Sequence, residues 1–350
     1  MSFPGASAGK DGRHQVLDDL WFAVRKNEVF AFLGPNGAGK STTINIITGL
    51  LKPVSGTATV CGKTPDDPAI KRLYGVCPQY DHTYRTMSVY NHLRVFAEIK
   101  GVPAEHVRDA VETAIEDAML QDFRHRAVKE LSGGTRRRLT IAIACLGRPA
   151  VVILDEPTTG VDIATRRTIW EMINRLKQHM SVLLVTHDMD EADRLSQRAG
   201  IMINGALVCL GSPARLKSLF GSAYLLKLQF AYGTRAETLD GTLAAIQSKV
   251  ESFQGNVIKM RLVHRGESSM EIAIDMPDET KDNAVVDDAS STQSVAHANF
   301  LGEMLEFVTD NRRQWNVTDF TLGELTLTEL FVRLAQHHRS YQDEEAGKHQ

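Results

Sequence analysis

The chain has 350 residues, 43% apolar and 24% charged, a composition that suits roughly two or three domains with full hydrophobic cores. Its net charge of −3 offers no basic excess for a phosphate backbone, so nucleic acid is disfavoured as a partner. The longest nearly apolar stretch, 139–154, is interrupted by Arg148 and Pro149 and is too short to cross a bilayer. The cysteines are scattered without metal-ligand spacing, which disfavours disulfides and a zinc site and indicates a reducing compartment.

The first two thirds of the chain alternate apolar runs with helical sequence. Residues 1–13 are rich in Gly and Ser, which predicts a disordered or truncated start before a domain at 14–222. Near-continuous Val, Ile and Leu runs within that domain are typical of strands buried on both faces of a parallel sheet. These runs lie at 29–34, 151–157, 182–187 and 200–211. They predict an α/β fold whose ligand binds at the carboxyl ends of the strands, with a mostly helical region at about 80–150.

A second, smaller domain is predicted at 223–336. Its elements follow the order β-α-β-β-α-β, which is typical of a ferredoxin-like α+β fold. The predicted strands are 224–230, 256–264, 269–276 and 315–322, and the predicted helices are 236–253 and 300–311. The acidic segment 277–294 is predicted to be a solvated loop, and the tail 337–350 to be disordered.

A glycine-rich loop follows the first apolar run. Residues 34–41, GPNGAGKS, fit the pattern GxxxxGK[ST] between a predicted strand and a predicted helix. The glycines let backbone N–H groups converge on phosphate oxygens, and the helix beginning near Lys40 adds the positive end of its dipole. Lys40 is expected to reach the β- and γ-phosphates, while Ser41 offers a hydroxyl to Mg²⁺. The loop therefore predicts a site for a nucleoside triphosphate with magnesium.

The second buried strand ends in two carboxylates. Asp155 and Glu156 close the run VVILDEP, and a carboxylate at a buried strand end is costly unless a cation answers it. Asp155 is therefore a candidate for the magnesium shell, and Glu156 for polarising the water that attacks the γ-phosphorus. A capped strand-to-loop junction is the plainer interpretation of the same two residues.

A second Ser/Gly-rich helix start is found at Ser132, Gly133 and Gly134. Exposed backbone N–H groups there predict another phosphate-binding surface, although an ordinary helix N-cap explains the same residues. The three arginines that follow, at 136–138, are predicted to form a solvated helix face.

Taken in order, these motifs resemble those of the ATP-binding cassette (ABC) family over residues 15–222. LSGGT at 131–135 is similar to its signature motif, and GPNGAGKST at 34–42 to its Walker A loop. LDEPTTGVD, at 154–162, resembles Walker B running into the D-loop, which makes Asp162 the D-loop aspartate. Gln79 in VCPQYD and His187 in VTHDMDEAD stand where that family has its Q-loop glutamine and switch histidine.

The resemblance implies a P-loop ABC ATPase core that uses ATP and Mg²⁺. Lys40, Glu156 and His187 are the implied catalytic residues, with His187 touching the γ-phosphate through Nε2–H. Ser41, Gln79 and Asp155 are the implied metal ligands. The implied nucleotide-binding residues are Gly34, Pro35, Asn36, Gly37, Ala38, Gly39, Lys40, Ser41, Thr42, Gln79, Ser132, Gly133, Gly134 and Asp162.

Finer features are similar to subfamily A, the lipid-exporting group of transporters. They include GVCPQYD, LSGGTRRRL and the C-terminal FTLGELTLTELFVRLAQ, which resembles the end of that subfamily's regulatory domain. The resemblance implies a second cassette, identical or related, that closes head to tail over two ATP molecules. It also implies transmembrane domains as partners, a location at the cytoplasmic face of a membrane, and lipid transport. Residues 80–110 are predicted to contact the membrane partner through the exposed tyrosines Tyr80, Tyr84 and Tyr90, and the alternative is that these tyrosines only pack the helical insertion.

The chain departs from the family in two ways. No aromatic residue that could stack on adenine is evident upstream of Val16 apart from Phe3, and subfamily A members are long chains with their own membrane helices. Both departures indicate a fragment. The alternatives are a non-transport ABC ATPase acting on ribosomes or DNA, and a cassette that binds nucleotide without turnover. Co-purification with membranes rather than ribosomes would distinguish a transporter cassette from a non-transport ATPase. Release of phosphate from ATP would exclude a cassette that binds nucleotide without turnover.

Overall fold

The structure is a computed structural model that describes residues 2–8, 14–219, 222–253, 258–276, 289–324, 326–328 and 331. The predictions for residues 277–288 of the acidic segment and for the tail 337–350 lie outside these residues. The described residues divide into two units, one ending at Pro213 and the other spanning Ala214–Arg333. Within the described parts of the chain, no helix combines the length and apolar character needed to cross a membrane.

The first unit is a mixed α/β structure. Its strands are β1 (Ser2–Ala8), β2 (His14–Gln15), β3 (Val29–Leu33), β4 (Tyr74–Cys77), β5 (Val151–Asp155), β6 (Ser181–Thr186), β7 (Arg198–Ile203) and β8 (Ala206–Gly211). Its helices are α1 (Lys40–Ile47), α2 (Val89–Ile99), α3 (Val107–Asp117), α4 (Gly133–Cys145), α5 (Ile163–Leu176) and α6 (Met189–Leu195). Helix α7 (Pro213–Leu219) begins where the two units meet along the chain.

The main sheet has the strand order β4-β5-β6-β3-β7-β8, in which β4 to β7 are parallel and β8 is antiparallel. Every residue of β3 and β6 is buried, as expected for strands covered on both faces. The predicted α/β fold is thereby confirmed. The apolar run 200–211 is a hairpin, because Asn204 and Gly205 both adopt positive φ (48° and 87°) in the turn between β7 and β8.

Two hydrophobic cores flank this sheet. On one side, α2, α3 and α4 pack through Leu93, Val111 and Leu139, all fully buried. On the other, α1 packs through Ile44 against Phe30 and other residues of the central strands. The helices of the 80–150 region thus form where the three- and four-residue spacing predicts them. Strand β4, whose YGVC is too short to show a pattern, was not predicted.

The second unit is an antiparallel sheet with two helices. It contains β9 (Ser222–Phe230), α8 (Ala236–Ser252), β10 (Lys259–Arg265), β11 (Ser269–Met276), α9 (Ala289–Asn311) and β12 (Val317–Glu324). The strand order β10-β11-β9-β12 places the first and third strands in the centre, which confirms the predicted ferredoxin-like arrangement. Its core is formed by buried residues of both layers, including Leu226, Ile246, Ile272 and Met304.

Two local predictions are wrong. Residues 2–8, expected to lack regular structure, form β1 and pair with β2 through Ser2–Gln15 and Phe3–His14, since backbone pairing needs no side-chain periodicity. Residues 289–294, expected to be loop, are the first turns of α9. The segment ASSTQS contains neither Gly nor Pro to stop a helix, and the apolar period that signals one begins only near Phe300.

Candidate nucleotide-binding site

The glycine-rich loop connects β3 to α1 and curls around the Lys40 ammonium. Lys40 Nζ donates to Gly34 O at 2.7 Å and to Pro35 O at 3.0 Å, and the residue is only 7% exposed. A Cβ atom at Gly34 would lie 2.5 Å from Met202 O, so glycine is required for this close approach. Gly39 adopts φ 103°, a conformation that residues with side chains rarely take. The loop is thereby fixed with its backbone turned toward the start of α1.

Helix α1 begins without a side-chain cap. Its N-cap is Gly39, which offers no hydroxyl or carboxylate to the first-turn N–H groups. Ser41 is exposed at this helix start, and Thr42 is half-buried beside it. Uncapped N–H groups at the positive end of a helix are suited to phosphate oxygens, as the sequence predicts.

Burial shifts the pKa values of the charged groups around Lys40. Burial lowers the pKa of Lys40, while the carboxylates of Glu156 and Asp155 act in the opposite direction. Burial also raises the pKa of Asp155, and the neighbouring Glu156 raises it further, against the opposing effects of Lys40 and Arg137. Both shifts express the same desolvation, which penalises charge that is not neutralised locally.

Glu156 is held by contacts from the ends of two neighbouring strands. It follows β5, is 8% exposed, and adopts φ 46°, which is unusual for a residue other than glycine. Its Oε2 accepts from Gln79 Nε2 at 3.0 Å, just beyond β4, and from Thr159 Oγ1 at 3.2 Å. Its Oε1 lies 3.1 Å from His187 Nδ1, just beyond β6. The structure therefore brings Gln79, Glu156 and His187 together at the carboxyl edge of the parallel sheet.

The contact at His187 constrains its protonation. Glu156 accepts, so His187 Nδ1 carries the proton, and a neutral imidazole then has a lone pair at Nε2. The predicted Nε2–H donor to a γ-phosphate requires either the imidazolium or loss of the contact with Glu156. His187 is exposed, so its ring has room for such a change.

The signature and D-loop residues lie apart from this cluster. Ser132 is the N-cap of α4, its Oγ accepting from Thr135 N at 3.2 Å, and Asp162 caps α5 by accepting from Thr165 N at 2.9 Å. A Cβ atom at Gly134 would lie 2.1 Å from Thr165 Cγ2, so this glycine lets α4 approach α5. Among the described residues, no hydrogen bond joins Ser132, Gly134 or Asp162 to Lys40 or Glu156.

The residues predicted to hold Mg²⁺ offer suitable oxygen donors. Ser41 has a hydroxyl and Asp155 a carboxylate, and Gln79 keeps its amide oxygen because it contacts Glu156 through Nε2. Within the described residues, no three His, Cys, Asp or Glu side chains cluster to hold a metal by themselves. A small hard cation that keeps water and phosphate oxygens as ligands fits this sparse donor set.

Sequence reasoning missed Arg137 and misjudged Tyr90. Arg137, predicted to be solvated, is 4% exposed and donates to the backbone carbonyls of Gln79 and Glu156. Its spacing gave no signal, because the buried residues of α4 also include Thr135, Leu139, Thr140 and Ala142 and so do not mark one face. Tyr90 is half-buried against the helical core with the Arg124 guanidinium over its ring, whereas Tyr80 and Tyr84 are exposed as predicted.

Comparisons with known proteins agree with this geometry. Residues 17–159 match the protein family described as "ABC transporter". The chain is 33% identical over 331 residues to "ABC transporter A family member 2" of Arabidopsis thaliana, which covers 93% of this chain and 32% of that protein. It is 34% identical over 340 residues to "ATP-binding cassette sub-family A member 2" of Rattus norvegicus, covering 96% of this chain and 14% of that protein. The chain thus spans about a third or less of the length of these relatives.

Solved structures show the same fold. One is cbiO1 from Clostridium perfringens, part of the ABC transporter complex cbiONQ, with TM-score 0.55 and 28% identity over 59% of this chain and 85% of that chain. Another is MJ0796, a dimeric bacterial ABC transporter cassette, with TM-score 0.50 and 25% identity over 56% of this chain and 90% of that chain. The motifs, the fold and these comparisons together show that the chain contains an ABC-type ATP-binding cassette domain, matched over residues 17–159, that is similar to those of subfamily A.

Proposed function

We propose that this chain binds ATP with Mg²⁺ and hydrolyses it between two cassettes to power a membrane transporter. The observation that carries the proposal is the Glu156 carboxylate, held between Gln79 and His187 at the sheet edge that also contains Lys40 and Asp155. It is a buried base with a polar contact on each oxygen, next to a loop built for phosphates. The relatives' names support the same class of protein.

Each residue has a defined part in this proposal. Lys40 and the uncapped start of α1 hold the β- and γ-phosphates. Ser41, Gln79 and Asp155 would hold Mg²⁺, which neutralises phosphate charge when it is bound. Glu156 polarises the attacking water, and His187 orients Glu156 while facing the γ-phosphate side. A metaphosphate-like transition state needs mainly such positioning and charge stabilisation.

The second half of the site is proposed to come from another cassette. Ser132, Gly133 and Gly134 form the start of α4 and, among the described residues, make no hydrogen bond to Lys40 or Glu156. We therefore infer that within one chain they leave the γ-phosphate uncovered. A second copy or a related cassette, placed head to tail, would bring its own α4 and Asp162 over the nucleotide. The dimeric cassette among the structural neighbours supports this arrangement.

Replacement of Lys40 tests the nucleotide site. Lys40→Ala removes the buried ammonium, so ATPase activity should fall by about 100- to 1000-fold, as when one charge-stabilising donor is removed from an active site. Exposed Lys52 provides the matched control, since Lys52→Ala removes the same charge from the surface. Phosphate release and binding of a fluorescent ATP analogue are the readouts. Equal activity of both variants would disprove the assignment.

The proposed partners are transmembrane domains that hold the chain at the cytoplasmic face of a membrane, with lipid as cargo. The similarity to subfamily A supports this choice, and it extends through the second unit. Tyr80 and Tyr84 are 73% and 62% exposed and lie within five residues after Gln79, where a membrane partner would sense nucleotide. Crosslinking from a cysteine placed at Tyr84 should capture a membrane protein. Recovery of the chain with ribosomes instead would favour a non-transport ATPase.

The second unit is proposed to regulate the cassette or to stabilise its dimer. Its described residues have a core of their own and no glycine-rich phosphate loop. A chain ending after α7 should therefore retain ATP binding and show altered coupling or assembly. Loss of ATP binding in a folded truncated chain would contradict this separation.

A further inference from the structure

We infer that Arg137 is a positioning residue that fixes two segments against helix α4. They are residues 78–81, called the Gln79 loop, and residues 155–157, called the Glu156 turn. Its guanidinium is buried and donates to backbone oxygens of both segments. Nη1 donates to Pro78 O at 2.6 Å and Gln79 O at 3.2 Å, on the segment after β4. Nη2 donates to Asp155 O at 2.7 Å and Glu156 O at 3.1 Å, on the segment after β5. Nε donates to Pro157 O at 3.0 Å.

A guanidinium is suited to this task because its donors point in fixed directions within one plane. One side chain therefore sets the distance between the two segments, which an ammonium on a flexible stem cannot do. Glu156 adopts φ 46°, a backbone conformation that persists only where its surroundings enforce it. Arg137 bonds to the carbonyls of residues 155, 156 and 157, and so enforces the turn that aims the Glu156 carboxylate.

The positive charge of Arg137 is also paired with a carboxylate, that of Asp81. Asp81 Oδ1 lies 3.2 Å from Nη1 and accepts from Thr140 Oγ1 at 2.9 Å, one turn further along α4. The Gln79 loop is therefore attached to α4 at two points, through Arg137 and through Thr140. Buried ion pairs of this kind are costly to break, because the remaining partner loses its counter-charge.

This inference rests on the proposed function and adds a connection between two nucleotide sites. Arg137 lies one turn after Gly134 on α4, and the start of α4 is the segment proposed to cover the ATP of the other cassette. A γ-phosphate that shifts Gln79 or Glu156 in one site would thus move α4, through Arg137, toward or away from the second site. The structure assigns to Arg137 the task of transmitting nucleotide occupancy.

The test compares Arg137→Ala with Arg138→Ala in the full chain. Arg138 is a matched control, because its guanidinium also binds backbone carbonyls, those of Ala118 (3.1 Å) and Met119 (2.7 Å). It contacts the start of α4 only through Thr135 Oγ1 at 3.4 Å and donates to neither the Gln79 nor the Glu156 segment. Arg137→Ala should lower kcat by about 100-fold, the loss expected when reacting groups are misplaced by about 1 Å. ADP affinity should be unchanged, since Lys40 and α1 hold ADP. Arg138→Ala should lose comparable thermal stability and keep its kcat.

The Arg137→Lys variant distinguishes the planar geometry of the guanidinium from its positive charge. The lysine keeps the positive charge beside Asp81 but cannot span both segments, so kcat should stay low while ADP still binds. This variant also decides the question if Arg137→Ala does not fold. Full activity in Arg137→Lys, normal activity in Arg137→Ala, or an equal loss in Arg138→Ala would each overturn the inference.

A second measurement does not depend on hydrolysis. Amide hydrogen exchange at residues 133–136 should slow when the unmodified chain binds a non-hydrolysable ATP analogue, and this response should disappear in Arg137→Lys. An unchanged response in the variant would overturn the inference. An unmodified chain that binds the analogue, shows the exchange response and never releases phosphate would contradict the proposed hydrolysis and leave the role of Arg137 supported.

Discussion

Helices α1 and α4 both begin in glycine-containing segments, yet their first-turn N–H groups are capped differently. The N-cap of α1 is Gly39 in a left-handed conformation, and among the described residues no side chain caps it. The N-cap of α4 is Ser132 in an extended conformation, whose hydroxyl already accepts from Thr135 N. Helix α1 therefore retains its first-turn N–H groups for a ligand, while α4 already has one of its own, that of Thr135, capped by Ser132.

This difference indicates that the start of α1 can form a phosphate-binding site within one chain, whereas the start of α4 can supply only half of one. At α1 the loop, Lys40 and the carboxylates of Asp155 and Glu156 are assembled within a single chain. At α4 the exposed groups are few, and Gly134 serves the packing of α4 against Thr165. What α4 can offer a phosphate is the exposed Ser132 hydroxyl and the N–H of Gly133, which would suit a nucleotide held by another cassette.

The largest expected effect comes from removing the base at the first of these sites. Glu156→Gln keeps the shape of the side chain and its contact with His187, but a neutral amide cannot polarise water. Turnover should fall by about 10²- to 10⁴-fold, the usual contribution of a general base. Bound ATP should then persist, and size-exclusion chromatography with Mg-ATP should show a species of twice the monomer mass.

The same experiment tests whether the two helix starts meet across chains. Adding Lys40→Ala to Glu156→Gln removes the phosphate anchor, so the dimer should no longer form in ATP. A monomeric chain with full ATPase activity that does not depend on protein concentration would contradict the two-cassette arrangement.

The sequence was sufficient for the parts of the site that depend on local pattern. The loop at 34–41, the carboxylates after β5 and the strand runs could be placed because glycine, charge and apolar periodicity are local signals. The roles of Arg137 and Gly134 could not be predicted from the sequence, because both depend on which residues of another element they pack against. Arginine is usually solvated, and a Ser-Gly-Gly segment does not show that Thr165 will approach the second glycine.

The hairpin at 200–211 and the start of α9 were not predicted, for a related reason. A continuous apolar run does not show where the chain reverses, although Asn204-Gly205 was a usable turn signal. The first turns of α9 are polar, so no apolar period marks them. The tautomer of His187 is set by its contact with Glu156, which no linear pattern contains.

A pair of glycine variants at α4 should give the next largest effect and separate packing from phosphate binding. Nothing lies within 4 Å of a Cβ at Gly133, whereas one at Gly134 would collide with Thr165. Gly134→Ala should therefore destabilise the chain by about 1–3 kcal/mol through overpacking. Gly133→Ala should leave the melting temperature unchanged, and its methyl group should weaken closure over the other cassette's ATP.

Thermal unfolding and ATPase assays on both variants check this pair. Gly133→Ala should be folded and reduced in activity, and the dimer formed in the Glu156→Gln background should be weakened. A Gly133→Ala chain with unmodified activity and dimerisation would place the start of α4 outside the composite site.

The smallest expected effect concerns the other end of α4. Lys100 Nζ donates to Ala144 O at 2.7 Å and to Leu146 O at 3.4 Å, so the chain itself also closes the C-terminal end of this helix. Burial lowers the pKa of Lys100 from 10.5 to about 8. Below pH 8 the lysine is charged in both the folded and the unfolded chain, and folding must desolvate that charge. The contribution of Lys100 to the free energy of unfolding is therefore smallest below pH 8.

Between pH 8 and pH 10.5 the folded chain loses this proton while the unfolded chain keeps it. The unfolded state then binds more protons, so the contribution of Lys100 to stability rises with pH across this window. Compared with Lys100→Met, the unmodified chain should gain about 2 kcal/mol, allowing for the residue's remaining solvent contact. Burial raises the pKa of Cys145 to about 12, against the lowering effect of Lys100, so this thiol stays protonated in both folded chains across the window and cancels in the comparison. Urea unfolding of both chains below pH 8 and near pH 10.5 measures the difference, and a difference that stays constant with pH would show that Lys100 is solvated rather than buried against the end of α4.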